Sequence, residues 1–134
     1  MAQMKHRVLS LLRYQPLWRI ALALSLAAIV FLATTPNPYP VPASASDKVN
    51  HLIAFIELTL LARLAWPELK AAWPAVALLA YGLGIELVQA GLPYREFSLA
   101  DLAADGAGIA VGLALWRVLA RHLTSDLRHS PKSM

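Results

Sequence analysis

The 134-residue sequence contains no cysteine, and only 15% of its residues are charged. The first absence excludes disulfide frameworks, thiolate-bound zinc or iron–sulfur centres and cysteine nucleophiles. The second, against about 25% charged residues in soluble domains, stands beside 58% hydrophobic residues and a mean hydropathy of +0.54. Together they exclude an ordinary soluble domain. No HExxH and no GxSxG occurs, so neither a helix-borne zinc protease site nor a nucleophile elbow is spelled out. There is no internal repeat, and the length leaves no room for a second catalytic domain.

What charge there is sits at the chain ends. The net charge is +4, with a pI near 9.8. Lys5, Arg7, Arg13 and Arg19 lie at the start, and Arg117, Arg121, Arg128 and Lys132 at the end. A nucleic-acid binder gathers such residues on one face with aromatics to stack bases, so no nucleic-acid partner is expected. Basic flanks around apolar blocks are the membrane pattern.

A hydrocarbon core about 30 Å thick needs roughly 20 mainly apolar residues per helix. Four blocks fit: about 17–35, 49–66, 73–90 and 99–120. The second contains His51, Glu57 and Arg63 and is accepted because an odd number of spans would separate the two basic termini. The connections are short: a proline-rich loop 36–48, then 67–72, then 91–98. The expected fold class is an all-α, four-helix integral membrane bundle. It has a basic cytoplasmic segment 1–16, a membrane domain 17–120 and a basic cytoplasmic tail 121–134. Lys and Arg near span ends stay in the cytoplasm. With both termini inside, ten of the twelve Lys and Arg residues fall on that side, leaving only Lys48 and Arg95 outside. The expected location is therefore the plasma (inner) membrane, multi-pass. Ala43-Ser44-Ala45 lies too far beyond the first apolar run for signal-peptide cleavage to be expected.

Charged side chains within spans cost about 2.5–3.5 kcal/mol each at a helix centre on insertion scales, and by default they mark function. Asp47, Lys48 and His51 open the second block, and Glu86 and Gln89 close the third. Arg95 lies in the second outer loop, and Asp101 and Asp105 open the fourth block. All eight belong to the extracytoplasmic end of the expected topology. Residues three or four apart share a helix face. Asp47 with His51, Glu86 with Gln89, and Asp101 with Asp105 therefore each form one polar face. The third and fourth helices, joined by a short loop, must be neighbours, so Glu86 and Asp105 can sit at similar depth. Glu86, near a helix C-terminus, lacks the macrodipole support that Asp101 and Asp105 receive and is expected to be protonated or paired with a cation. Gly108 and Gly112 continue the Asp101–Asp105 face with the GxxxG spacing that lets two backbones approach; a homo-oligomer through that face is a further expectation. Glu57 points away from the His51 face. Ser98 and Asp101 also fit helix caps.

In order along the chain, Asp47-Lys48-x-x-His51-x-x-x-Phe55, Glu86-x-x-Gln89, and Arg95 followed by Ser98-Leu99-x-Asp101-Leu102-x-x-Asp105-x-x-Gly108 resemble the VanZ-like family of small membrane proteins. The resemblance runs from about Asp47 to Gly112. It implies Asp47, Lys48, His51, Glu86, Gln89, Arg95 and Asp101 as characteristic positions, with Gly108 completing the last motif. The sequence departs from the pattern at Asp105, where an amide is more common, and at Glu57, where an apolar residue is usual. The family takes its name from a member associated with resistance to the lipoglycopeptide teicoplanin, so the resemblance implies a cell-envelope setting rather than a reaction.

Three kinds of activity are consistent with these residues. The first is binding of an envelope lipid head group or a lipid-anchored drug by Asp47, Lys48, His51, Glu86, Gln89, Arg95, Asp101 and Asp105, with a role in envelope homeostasis or antibiotic resistance. Its partners would be membrane lipids or lipid-linked envelope molecules. The second is a membrane-embedded hydrolase or transferase acting on a lipid-linked group, with His51, Glu86, Asp101 and Asp105 as candidate catalytic residues. No cofactor is evident, although His with Asp and Glu is a usual ligand set for a divalent metal. The third is a proton- or ion-coupled small transporter. The mouth holds five acids (Asp47, Glu86, Glu96, Asp101, Asp105) against two fixed bases, which argues against a simple anion site. Binding is the expectation carried forward.

Overall fold

The structure is a computed structural model describing the backbone of residues 2–36, 45–93 and 97–129, with side chains over 2–36, 48–93 and 97–122. It is all-α among the described residues: α1 (Ala2–Arg13), α2 (Gln15–Thr34), α3 (Ala45–Ala65), α4 (Ala72–Ala90) and α5 (Leu99–His129).

Proline sets most of the boundaries. Its ring disfavours the α conformation in the residue before it and removes an N–H. Thr35, before Pro36, is extended at φ −80° and ψ 133° and ends α2. Trp66, before Pro67, ends α3. Pro16 and Pro74 instead fall in the first turns of α2 and α4, where no intrahelical N–H partner is lost. At the start of α5 the Ser98 hydroxyl accepts the Asp101 N–H at 3.1 Å, an N-cap.

The sequence reading placed no element in the first segment, yet Ala2–Arg13 is helical. Met4, Val8 and Leu11 share one side of α1 and are exposed, and no residue of the helix is buried. At the other end, α5 continues to His129, beyond the apolar run that led to its expected end at 120.

Helices α2, α4 and α5 (over Leu99–His122) are long and apolar enough to cross a membrane. Helix α3 does not belong with them on composition, because Asp47, Lys48, Glu57 and Arg63 leave at least three charges in any 18-residue window. It nevertheless packs against α2, α4 and α5. The distribution of polarity is inverted relative to a soluble protein. Ile20, Leu24, Phe31, Val76, Leu87 and Leu115 are exposed, while Thr59, Glu86, Gln89, Asp101 and Asp105 are buried. That is the arrangement of a chain whose solvent is lipid. A small core of Leu22, Phe55, Leu58, Ala62, Leu78 and Ile109 lies between the helices.

The closest approach is between α3 and α5. A Cβ on Gly108 would lie 2.6 Å from the Leu52 carbonyl oxygen and 2.9 Å from Phe55 Cβ, and one on Gly112 would lie 2.7 Å from Thr59 Cβ. The glycine face expected to join a second copy is therefore covered by α3 of the same chain. Helix α2 is fastened by polar bonds. The Tyr81 hydroxyl donates to the Leu26 carbonyl at 2.6 Å, Gln89 Nε2 to the Ala33 carbonyl at 3.1 Å, and the Ser25 hydroxyl to Glu57 Oε1 at 2.8 Å. At the end of the molecule where α3 terminates, Arg19 lies 5.0 Å over the Trp66 ring and donates to the Ala65 carbonyl, and Arg63 lies 5.7 Å from the Trp116 ring.

A mutation series tests the close packing. Gly108→Ala and Gly112→Ala are expected to lower stability by about 1–3 kcal/mol each, the usual cost of overpacking. Gly84→Ala and Gly106→Ala, where an added Cβ meets nothing within 4 Å, should be neutral or slightly stabilising. Thermal unfolding of the detergent-solubilised protein checks this; equal effects at all four positions would contradict the packing.

Candidate functional site

The polar groups converge where α3 begins, α4 ends and α5 begins. His51 is on the second turn of α3, and Asp101 and Asp105 are one turn apart on α5. Because Gly108 brings α5 down onto α3, His51 Nδ1 reaches Asp105 Oδ1 at 2.9 Å. The other ring nitrogen, Nε2, is 3.7 Å from Asp101 Oδ2, and Lys48 Nζ is 3.9 Å from Asp101 Oδ1. Gly82 on α4 completes the fit: a Cβ there would stand 2.8 Å from Asp105 Oδ2 and 3.1 Å from Phe55 Cζ. Only a residue without a side chain leaves Asp105 its place.

Glu86 enters from α4. It is fully buried, and its Oε2 accepts the backbone N–H of Ser98 at 3.0 Å, tying the end of α4 to the start of α5. Its Oε1 is buried with no hydrogen-bond partner among the described residues. One ligand atom each from His51, Glu86 and Asp105 all lie within 4.8 Å of one another. His51, Asp101 and Asp105 thus form a histidine flanked by two carboxylates, with Glu86 as a third acid alongside and Lys48 as a partly exposed base at the rim.

Beside this cluster is a cavity of about 410 Å³. Ile29, Leu32 and Ala33 of α2, Ala54 and Phe55 of α3 and Ile85 of α4 form its apolar wall. Asn50, His51, Gln89 and Asp105 are its polar groups. Four helices contribute. Leu32 and Asn50 are exposed and lie at the rim, whereas Phe55 and Asp105 are buried at the floor.

The structure thus brings together Lys48, His51, Glu86, Asp101 and Asp105. Gln89 lines the cavity but gives its amide hydrogen to the Ala33 carbonyl, on a helix that spacing along α4 does not identify. Arg95 and the side chain of Asp47 lie outside the described residues. Glu57 stands apart and takes the Ser25 hydroxyl. Asn50, next to His51, joins the lining without having been among the expected site residues; its signal in the sequence is an amide inside an apolar block. The role of Gly82 for Asp105 emerges only when α5 is in place.

A sequence model for the family described as VanZ/LLP1 matches residues 2–120. No curated protein and no solved structure matches the chain.

The His51–Asp105 contact is open to a double-mutant cycle. Removing one partner strands the other in a buried site. His51→Ala and Asp105→Asn are therefore expected to be non-additive, with a coupling of about 0.5–3 kcal/mol in unfolding free energy, the range for residues in direct contact. Additive losses would mean that the two side chains do not touch.

Proposed function

The chain belongs to the VanZ/LLP1 family, and on that premise we propose that it is a four-span plasma-membrane protein whose outward-facing pocket binds the head group of an envelope lipid or of a lipoglycopeptide. By doing so it contributes to envelope homeostasis or to tolerance of teicoplanin-type antibiotics. The observation that carries this reading is the composition of the cavity. Apolar residues of α2, joined by Ala54, Phe55 and Ile85, face polar groups supplied by α3, α4 and α5. A molecule with a lipid tail and a polar head has that division, and few-point polar recognition within an apolar cleft is how small-molecule sites work.

Several features support α3 as the remaining span. Its 21 residues make a rod of about 30 Å at 1.5 Å per residue, matching the hydrocarbon thickness. Its charged and polar groups find partners within the chain: His51 with Asp105, Glu57 with Ser25, and Arg63 with the Leu69 carbonyl. With both termini cytoplasmic, the arginine–tryptophan contacts fall at the inner surface and the histidine–carboxylate cluster at the outer one, in keeping with retention of Lys and Arg inside.

Binding is favoured over turnover because, among the described residues, serine and threonine hydroxyls on the helices around the cavity are engaged elsewhere. Ser25 donates to Glu57, Thr59 donates to the Phe55 carbonyl, and Ser98 caps α5.

Native mass spectrometry of the protein released from its own membrane tests the pocket. Wild type should carry a lipid or lipid-linked adduct. Ala33→Trp, which fills the cavity from α2 and leaves every residue of the cluster in the sequence, should lower its occupancy about tenfold, equivalent to ~1.4 kcal/mol. The same adducts in the same amounts on both proteins would contradict the proposal.

A further inference from the structure

We propose that His51, Glu86 and Asp105 hold a divalent transition-metal ion of the Zn²⁺ class at the floor of the pocket, and that this ion is what receives the anionic part of the head group. The inference rests on the binding reading given above and names the chemistry by which that site would work.

Three observations carry it. The first is the donor set. One imidazole nitrogen and two carboxylate oxygens from three different helices lie within 4.8 Å of one another. Ligand atoms on one zinc ion sit about 2.0–2.2 Å from it, hence no more than about 4.4 Å apart, so small side-chain rotations bring all three onto a common centre. Three protein ligands with a fourth position left open is the pattern of zinc sites that take up an exogenous group.

The second observation is Glu86 Oε1, an oxygen of a fully buried carboxylate that has no hydrogen-bond partner among the described residues. Its companion Oε2 is held by the Ser98 N–H, so the carboxylate is fixed by one oxygen and offers the other. A buried polar atom left in that condition costs about 1–3 kcal/mol, more if charged, and a cation at the cluster removes the cost.

The third is the pattern around the histidine. With Nδ1 directed to the metal side beside Asp105, Nε2 stays on the side of Asp101 Oδ2, 3.7 Å away, and Asp101 in turn lies 3.9 Å from Lys48. A metal-bound histidine commonly gives its second N–H to a carboxylate, which fixes the tautomer and orients the ring. Asp101 is placed for that supporting role.

Charge gives the ion a purpose. Glu86, Asp101 and Asp105 outnumber Lys48 as fixed charges in the cluster, and such a site repels the phosphate or carboxylate of a head group. A divalent ion cancels two of the negative charges and turns the floor into an acceptor for an anionic oxygen. His51 and Asp105 line the cavity, so the open position faces the bound molecule, with Glu86 behind.

The test uses the full chain in detergent micelles, stripped of metal with a chelator and titrated with Zn²⁺ by calorimetry. Bound metal is counted by mass spectrometry after desalting, and Mg²⁺ serves as the counter-probe. Wild type should bind one Zn²⁺ in preference to Mg²⁺, with a rise in unfolding temperature. Glu86→Gln, His51→Ala and Asp105→Asn should each weaken binding at least tenfold. Glu57→Gln, a carboxylate outside the cluster, should bind as wild type does, and Co²⁺ in place of Zn²⁺ should give a visible absorption band that Glu86→Gln loses. No retained Zn²⁺ in folded wild type, or equal retention in wild type and Glu86→Gln, overturns the proposal, leaving Glu86 as an acid satisfied by its own proton. Ala33→Trp separates the two readings. Zn²⁺ bound by that variant and by wild type, with no lipid on either, upholds the metal and defeats head-group binding. Lipid on wild type without Zn²⁺ does the reverse.

Discussion

Two glycines on α5, Gly108 and Gly112, stand where any side chain would strike the backbone or Thr59 of α3. That contact sets the distance between the helices, and the site depends on it. With α5 held further away, Asp105 would not meet His51 at 2.9 Å, and the acids of α5 would remain on a separate face. Gly82 serves the same cluster from α4 by leaving space for Asp105 and Phe55. In lipid, where apolar burial between helices provides little drive, close packing and polar bonds are what hold such a bundle. Here the packing is α3 on α5, and the polar bonds from Tyr81, Gln89 and Ser25 bring α2 to the other helices.

Much of the architecture can be read before any coordinates. Uninterrupted apolar runs locate α2, α4 and α5, and the prolines after Thr35 and Trp66 mark where helices stop. The spacing of Asp101 and Asp105 puts both on one face whatever the tertiary arrangement. Other features are not local properties. Gly108 and Gly112 announce a close contact but not its partner, and the face expected to serve a second copy is filled by α3. Gln89 was legible as a polar group at the outer end, but spacing along one helix cannot reveal that its nearest acceptor is a carbonyl on α2. At Ala2–Arg13 the charges Lys5 and Arg7 mask the helical spacing of Met4, Val8 and Leu11.

The molecule is polarised from end to end. Arg19 and Arg63 lie against Trp66 and Trp116 at one end, and His51, Glu86, Asp101 and Asp105 gather at the other. Between them lies the core of Leu58, Ala62, Leu78 and Ile109, with the Ser25–Glu57 and Thr59–Phe55 hydrogen bonds at intermediate depth. Helix α2 gives the cavity only apolar residues and α5 only Asp105, whereas α3 and α4 supply both kinds.

The most direct test of this account is photo-crosslinking in whole cells with a phospholipid delivered to the outer leaflet and carrying a diazirine close to its head group. If the pocket faces outward and receives the head, crosslinks should concentrate on Ala33, Asn50 and Ala54, and Ala33→Trp should disperse them. Crosslinks spread along the lipid-facing residues Leu24, Val76 and Leu115, with none in the pocket, would contradict it.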